Sequence, residues 1–433
     1  MATMEDFMPE LRYPLSFREE DAAKLGELLQ QNKSVELIGM KRVGISNFLQ
    51  FFVFHKGIQA KYLAEHTHPL CVLVDLNDLV ERELFAFWRL LLKRIVDAAE
   101  DEPHLDKEVV KRMHTIFLEC IQTGDSFMTY DGVKECITLL AQQKRYIVLF
   151  FNRFHRLHDS MSLEFFHNLL SLQNASQKRL SFVFTNYRPL SYMLGDMFVK
   201  NNITFPTILT VKPAKTKDMH VVLKSLETQY RLELEPHIRE AILTQSGGHI
   251  YYLTIACILL KELEGKSGIT ADQIIELLRQ DERVKSLSEE LWESLSSKEQ
   301  QVFMKMLKKE SITASDKQAA AYLWDMGFIV GTTTVFSPLF SHFVLSQRTV
   351  AEENDMTFTK KEALLFEALR KRVFEVCTRE EIIDEVWPEY KAYGISDWSI
   401  DRLISRVRVK LKKQNNPYEI LTIRTRGYRL VTV

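Results

Sequence analysis

The chain has 433 residues, with 57 Lys and Arg against 58 Asp and Glu and a formal net charge of −1. This length exceeds one ordinary core, so about two to four domains are expected. The near-neutral charge excludes a basic field over the whole molecule, so any affinity for nucleic acid must come from a local patch. The sequence shows no signal peptide and no apolar run long enough to cross a bilayer, which predicts a cytoplasmic protein without a membrane partner.

The five cysteines are scattered without a close pair. This spacing argues against zinc modules and a disulfide framework, and it favours a reducing compartment. His155 and His158 lie near Asp159, a group that we interpret as a solvated polar turn and not as a metal site.

Near its start the sequence predicts a helix, a strand, a glycine-framed loop and another helix. The helix covers residues 17–29, the strand 34–38 and the loop 39–47, and the second helix starts at Phe48. This context suits a phosphate-binding loop, because glycines let backbone amides converge on an anion at a helix N-terminus. The candidate phosphate contacts in the loop are Gly39, Lys41, Arg42, Gly44, Ser46 and Asn47.

Further apolar strands are predicted at residues 70–75, 146–151 and 180–186, with helical stretches between them. Continuous apolar strands in such a series are typical of a parallel sheet that is covered on both faces. The strand at 146–151 leads into Asn152 and Arg153, so these two side chains are expected at the carboxyl edge of the sheet.

Several features occur in an order that resembles the STAND branch of the AAA+-related ATPases, including the archaeal-type ATPases. The resemblance covers about residues 14–345 and implies a P-loop domain, a helical lid and a winged helix. The matching residues are Phe17-Arg18-Glu19, the loop from Gly39 to Ser46, the strand before Asn152, and Gly247-Gly248-His249.

The sequence departs from that family at the residues that carry its chemistry. In the family a lysine neutralises the β- and γ-phosphates, an aspartate holds magnesium and a glutamate polarises the attacking water. Ile45, Asn152 and Arg153 stand at those positions here. The departures predict a protein that is not an enzyme, and ATP or ADP is the cofactor that such a loop would take.

Other residues offer substitutes for the missing groups. Lys41 and Arg42 lie in the loop, and Arg153 has the charge to pair with a phosphate directly, in place of a magnesium bridge. The alternative for Arg153 is an ion pair with a surface acid. His249 also has two interpretations, a phosphate sensor by resemblance or a helix cap.

The last part of the chain predicts a basic helix followed by a hairpin. Residues 397–413 space their apolar side chains as a helix with one face on a core, and Asp397 is the expected N-cap. Strand-like alternation then leads to a tight turn at Gly427. A basic helix beside a basic hairpin suits one helix in a major groove and a wing across the neighbouring backbone. The predicted core residues of the helix are Ile400, Leu403, Ile404, Val407 and Leu411.

These elements resemble the DNA-binding domain of OmpR/PhoB-type response regulators. Residues 358–369 match that family's first helix, and residues 378–387 match its second helix with Thr378 as N-cap. The resemblance implies double-stranded DNA as the partner. The implied contacts are Trp398 and Arg402 to bases, Arg406, Lys410 and Arg424 to phosphates or the minor groove, and Ser399 and Arg426 at the helix start and in the wing.

We therefore predict a multidomain α/β protein. A P-loop parallel α/β sheet domain is expected at residues 1–210 and a helical lid at 211–285. A winged helix is expected at 286–346, and the OmpR/PhoB-type winged helix, an α+β domain, at 355–433. The winged helix at 286–346 lacks a basic helix, so we expect it to be structural or regulatory.

The leading interpretation is a sequence-specific DNA-binding transcription regulator whose P-loop module does not hydrolyse nucleotide and acts as a sensor or an oligomerisation scaffold. A single DNA-binding domain of this type often needs a dimer for useful affinity, so a homo-oligomer is one expectation. The alternatives are a nucleotide-switched ATPase that uses substitute residues, and a scaffold whose C-terminal domain binds an acidic protein.

Overall fold

The computed structural model describes residues 8–64, 69–194, 206–263, 269–351, 358, 360–387, 397–414, 416–423 and 426–432. Within these ranges the description leaves out the side chains of residues 159, 347–351, 360, 397–399, 402 and 413. The chain divides into two compact units. We call residues 1–278 with 301–338 the sheet unit, and residues 279–300 with 339–433 the C-terminal unit.

The sheet unit is built on five parallel strands in the order β2-β3-β4-β1-β5. Strands β1, β3 and β4 are buried at every residue, which is the pattern of a parallel sheet covered on both faces. The predicted parallel α/β sheet is therefore confirmed. The strands are β1 (Val35–Ile38), β2 (Leu70–Asp75), β3 (Ile147–Asn152), β4 (Leu180–Asn186) and β5 (Thr207–Thr210).

The helices that cover this sheet follow from apolar spacing and from caps. In the helix that follows β2, Phe87, Leu91 and Ile95 are spaced four apart and fully buried, so they form one stripe on the core. Asp106 and Asp125 cap the next two helices by accepting hydrogen bonds from backbone N–H groups of the first turn. The helices are α1 (Glu19–Gln30), α2 (Ile45–Phe54), α3 (Lys56–Tyr62), α4 (Leu84–Glu100), α5 (Lys107–Thr123), α6 (Ser126–Gln142), α7 (Leu163–Ala175) and α8 (Leu190–Leu194).

The helix after the glycine-framed loop starts earlier than expected. The sequence predicts its start at Phe48, whereas α2 begins at Ile45. Gly44 supplies the reason, because its positive φ of 106° turns the chain directly into the helix.

Helices dominate the chain after β5. Helix α10 ends at Ser246, and the left-handed conformation of Gly247 caps it. The elements are α9 (Thr216–Tyr230), α10 (Pro236–Ser246), α11 (Ile250–Glu262), α12 (Ala271–Gln280), α13 (Glu282–Glu293), α14 (Ser297–Leu307), α15 (Ala314–Ala319), α16 (Tyr322–Asp325), the hairpin of β6 (Ile329–Val330) with β7 (Thr334–Val335), and α17 (Pro338–Ala351).

The order from α14 to β7 is the helix-and-hairpin order of the predicted winged helix. The boundary between the two units falls inside α12, α14 and α17. The domain limits at residues 210, 285, 346 and 355 stay a prediction.

The C-terminal unit ends in a winged helix. Its three strands are antiparallel in the order β8-β10-β9. The five predicted core residues of the basic helix are all buried. Thr378 is the N-cap of α19, as predicted, and it forms a capping box with Glu381. The elements are α18 (Lys360–Arg370), β8 (Val376–Cys377), α19 (Arg379–Val386), α20 (Asp397–Lys413), β9 (Tyr418–Ile423) and β10 (Gly427–Thr432).

The predicted capping role of Asp397 concerns a side chain outside the description. Throughout the described ranges, no helix combines the length and the apolar character that a membrane crossing requires.

Candidate functional site

The loop between β1 and α2 is closed by apolar contacts. A Cβ added to Gly39 would lie 2.6 Å from the Val211 carbonyl oxygen and 3.1 Å from Cδ1 of Ile45. A Cβ added to Gly44 would lie 2.3 Å from Cδ1 of Ile250. The backbone carbonyl close to Gly39 and the left-handed φ of 106° at Gly44 make glycine the residue that suits these two positions. Ile45 packs over the loop at the position where the family resemblance implies a lysine.

The cations of this loop lie against aromatic rings. The Lys41 ammonium is 4.7 Å from the centroid of the Tyr187 ring, just after β4. The Arg42 guanidinium is 4.6 Å from the centroid of the Tyr251 ring in α11. A cation over a ring face is stabilised by the ring quadrupole, so each of these side chains links the loop to a neighbouring element.

Asn47, the last candidate of the loop, contacts the N-terminal segment. Its Nδ2 donates to Oε1 of Glu10 at 2.7 Å. Burial raises the pKa of the Glu10 carboxyl, and the hydrogen bond from Asn47 opposes that shift. Asn47 therefore stabilises the charged form of a buried acid.

His249 joins the loop to α11 and is fully buried. Its Nδ1 accepts from the Tyr252 backbone N–H at 3.4 Å, so the proton belongs on Nε2, which donates to the Lys41 carbonyl oxygen at 2.9 Å. Burial lowers the pKa of His249 to about 4. The structure thus gives His249 the capping role that was one of its two interpretations.

A polar cluster lies at the carboxyl edge of the sheet, with Asn152 at its centre. The Asn152 Nδ2 donates to Asp75 Oδ2 at 3.0 Å and to Ser46 Oγ at 3.1 Å. Its Oδ1 accepts from Thr185 Oγ1 at 3.2 Å. The Arg153 guanidinium donates to Asp75 Oδ1 at 2.7 Å. These side chains therefore satisfy one another, and a guanidinium lies on the carboxylate of the cluster.

Sequence reasoning missed Asp75. Strands β2 and β3 are parallel neighbours, and their register pairs Asp75 with Asn152. An acid as the last residue of an apolar strand was the available signal, because the carboxyl ends of parallel strands meet at one edge. Arg153 forms an ion pair with this acid, as the alternative interpretation of Arg153 expected.

The same edge is rich in positive charge. His155 lies 5.1 Å from the Tyr187 ring, measured between ring centroids, and its Nδ1 is buried with no hydrogen-bond partner among the described residues. Burial lowers the pKa of His155 to about 3, and the nearby charges of Lys41, Arg156 and Arg153 lower it further. His155 is therefore a neutral imidazole that lies near several cations.

In the C-terminal unit, Arg406 and Lys410 of α20 lie against a buried acid. The Lys410 Nζ is 2.7 Å from Glu362 Oε2, and the Arg406 Nε is 3.5 Å from Glu362 Oε1. The Glu362 side chain is only 1% exposed. Arg406 also pairs with Glu289 of α13. Two cations face two acids here, so this cluster is neutral inside the unit, and the phosphate contacts of Arg406 and Lys410 stay a prediction.

The other candidate DNA contacts divide into two groups. Arg426 is described, exposed and placed at the turn between β9 and β10, as a wing contact requires. The side chains of Trp398, Ser399 and Arg402 lie outside the description, as does Arg424. Arg408 has a positioning role, since its Nε donates to the Ile420 carbonyl oxygen at 2.8 Å.

Residues 353–430 match the family described as "Transcriptional regulatory protein, C terminal". The heme response regulator HssR of Staphylococcus aureus strain JH9 is 37% identical over 75 residues, which is 17% of this chain and 33% of HssR. The HssR proteins of strains Newman and JH1 match to the same extent. The chain spans about a third of the length of the curated relatives it matches. The predicted OmpR/PhoB-type winged helix at the C-terminus is thus confirmed.

Among solved structures, the chain shows only distant similarity to two archaeal proteins. The Walker-type ATPase PABY2304 of Pyrococcus abyssi is 15% identical with a TM-score of 0.48, covering 76% of this chain and 95% of that chain. The ORC2 protein of Aeropyrum pernix, in its ADPNP–ADP complexes, is 14% identical with a TM-score of 0.45, covering 78% and 96%. The fold of the sheet unit is established here by its own strand order and register.

The buried His249 predicts a loss of stability in weak acid. Its pKa of about 4 in the folded protein lies below the value of 6.5 for a free histidine. The unfolded chain therefore takes up the proton first, so the free energy of unfolding falls as the pH drops from 6.5 towards 4, by up to about 1.4 kcal/mol per pH unit. Urea unfolding across this window measures the slope.

Two substitutions test the assignment to His249. His249→Gln keeps a donor for the Lys41 carbonyl but cannot titrate, so it should make the slope smaller. A slope from the buried His155, whose pKa is also lowered, should remain. His114→Gln, at an exposed position of α5, should leave the slope as it is in the wild type. Equal slopes in all three proteins would contradict the assignment.

The buried acid of α18 predicts a second stability effect. Glu362→Gln leaves the cations of Arg406 and Lys410 without their buried partner, which should lower the free energy of unfolding by about 3 kcal/mol. Glu367→Gln is the control, because Glu367 lies on the same helix, half exposed, in an ion pair with Arg370. The control should change stability by less than about 0.5 kcal/mol. A similar small change for Glu362→Gln in chemical denaturation would show that the cluster contributes little.

Proposed function

We propose that the chain is a sequence-specific DNA-binding transcription regulator that acts on double-stranded DNA in the cytoplasm. The observation that carries the proposal is the winged helix at the C-terminus, which matches the transcriptional regulatory family over residues 353–430. The S. aureus relatives are response regulators by name. A helix and a wing held on one core suit a major groove and the adjacent backbone.

The DNA surface that we propose combines the start of α20 with the tip of the wing. Arg402 and Trp398 would contact bases, with Ser399 beside them. Arg426 at the hairpin turn, and Arg424 two positions before it in the sequence, would contact phosphates or the minor groove. The exposure of Arg426 supports this division. So does the engagement of Arg406 and Lys410 with acids, because it leaves DNA contact to the other cations of the domain.

We further propose that the sheet unit binds an anionic ligand without hydrolysing it, and acts as a sensor or an oligomerisation scaffold. The cations that lower the pKa of His155 support anion binding, with ATP or ADP as the first compounds to test. Hydrolysis is disfavoured because Ile45 packs over the loop, and because the Arg153 guanidinium lies on Asp75 where a metal ion would otherwise need the carboxylate.

The DNA-binding proposal predicts distinct effects for base and phosphate contacts. Selection of genomic fragments by the purified full-length chain should recover a recurring motif. Arg402→Ala and Trp398→Ala should each lose about 1–3 kcal/mol of specific binding. Arg426→Ala should instead weaken all sequences and lower the salt slope by about 1.

A matched control is Lys111→Ala, which removes an exposed cation from α5 in the sheet unit and should change neither quantity. Recovery without a motif, lost at modest added salt, would leave only backbone attraction. That outcome would favour the scaffold that binds an acidic protein.

The non-hydrolysing proposal predicts no ATP turnover above the uncatalysed background, with or without magnesium. Ile45→Lys should not restore turnover, because Asn152 and Arg153 still supply no carboxylate. The assay is phosphate release by the full chain. Turnover in the wild type that Asp75→Asn abolishes would overturn the proposal and establish the alternative, an ATPase in which Asp75 replaces the missing acid.

A further inference from the structure

Asp401 is an acid on the basic helix of the winged helix. Residues 402–413 of α20 include Arg402, Arg406, Arg408, Lys410, Lys412 and Lys413. The Asp401 side chain is 48% exposed, so its charge faces solvent. An exposed carboxylate near a phosphate backbone repels it. An acid that opposes DNA binding in this way is explained only if its side chain has another role.

The contacts of Asp401 supply that reason. The Arg379 Nη1 lies 2.6 Å from Asp401 Oδ1, and the Tyr428 hydroxyl donates to the same carboxylate. The Arg379 guanidinium also lies 5.2 Å from the centroid of the Tyr428 ring. The three side chains therefore form one connected cluster, which we call the Asp401 cluster.

Each member of the Asp401 cluster comes from a different element. Arg379 is the first residue of α19, Asp401 lies in the first turns of α20, and Tyr428 belongs to β10 of the wing. The Tyr428 side chain is buried, and burial raises the pKa of its hydroxyl, with the Asp401 hydrogen bond acting in the same direction. The hydroxyl is protonated at neutral pH and donates to the carboxylate.

The backbone around the Asp401 cluster has little room to adjust. Gly427, directly before Tyr428, has a φ of 136°, and a Cβ there would lie 2.1 Å from the Cys377 carbonyl oxygen. Thr378 caps α19 one residue before Arg379. Strand β10 and the start of α19 are therefore fixed against each other, and Asp401 connects α20 to that pair.

We propose that Asp401 is a positioning residue that fixes the angle between α20 and the wing, so that both engage one DNA site together. This inference rests on the proposed DNA-binding function and deepens it. The role of Asp401 is to hold geometry, and its charge opposes phosphate attraction. Specific binding needs the helix and the wing in register on the duplex, whereas non-specific binding needs only positive charge near phosphates.

These two effects have opposite signs, which separates a positioning role from a simple surface charge. Asp401→Asn removes a negative charge and weakens the link to Arg379. Affinity for unrelated DNA should rise because one repulsion is gone. The ratio of specific to non-specific affinity should fall by about tenfold, the loss of one well-placed base contact.

Glu419→Gln is the matched control. Between Trp398 and Arg429 the sequence has two acids, Asp401 and Glu419. Glu419 is exposed on β9 and lies outside the Asp401 cluster, and the substitution removes the same charge. It should raise affinity for unrelated DNA in the same way and leave the specificity ratio unchanged. Tyr428→Phe supplies a second variant, since it removes the hydroxyl bond without changing any charge and should lower the ratio with unaltered salt dependence.

The measurement is fluorescence anisotropy of the full-length proteins on the selected duplex and on a scrambled duplex, over a range of salt concentrations. Thermal unfolding of each variant confirms that the fold persists, and Tyr428→Phe carries the test if Asp401→Asn does not fold. A specificity ratio that stays at the wild-type value in Asp401→Asn and in Tyr428→Phe would overturn the positioning role. A wild-type ratio near one would instead refute the proposed function itself.

Discussion

The register of the parallel sheet decides which polar side chains meet in the sheet unit. Because β2, β3 and β4 run side by side in the same direction, their last residues arrive at one edge, where Asp75 pairs in register with Asn152. The loop after β1 reaches the same edge, because β1 lies beside β4. A hydrogen-bonded network from Ser46 to Asp75 is the result. Strand order thus brings together groups that are far apart in the sequence.

The polar groups of that network form hydrogen bonds with one another. A buried polar group costs free energy unless it finds a partner, and here the partners are supplied by the protein. The Arg153 guanidinium forms an ion pair with the Asp75 carboxylate, while Ile45 packs over the loop between β1 and α2. The polar groups at this edge are therefore bound to one another by hydrogen bonds and by one ion pair. This combination explains why we assign it a sensing or scaffolding role.

The C-terminal unit applies the same principle to charge. Helix α20 is rich in Lys and Arg, but some of these cations pair with acids inside the unit. Arg406 and Lys410 neutralise Glu362, and Arg408 ties the helix to β9. The number of Lys and Arg in the helix therefore overstates the positive field that DNA would meet. Which cations face outward depends on the acids that pack beneath them.

These cases show what the sequence predicts and where it stops. Apolar runs and caps were sufficient for strands β1 to β4, for the buried face of α20 and for Thr378, because such signals are local. Strand β5 was not predicted, because its residues are half exposed and form no apolar run. The role of Asp75 was not predicted, because its partner Asn152 lies on a neighbouring strand, 77 residues away in sequence. The ion pairs of Arg406 were not predicted for the same reason, since Glu289 is separated from it by 117 residues. The start of α2 was misplaced because the left-handed turn at Gly44 is not visible in periodicity.

The C-terminal unit is discontinuous in the chain, and this matters for how it is produced and studied. It takes residues 279–300 from the middle of the sequence and joins them to residues 339–433. A truncated protein that starts at the last winged helix would leave α13 behind, and Arg406 would lose its Glu289 partner. Such a fragment would carry an electrostatic surface that the intact chain does not have. Affinities measured on such a fragment would therefore reflect a different electrostatic surface from that of the 433-residue chain.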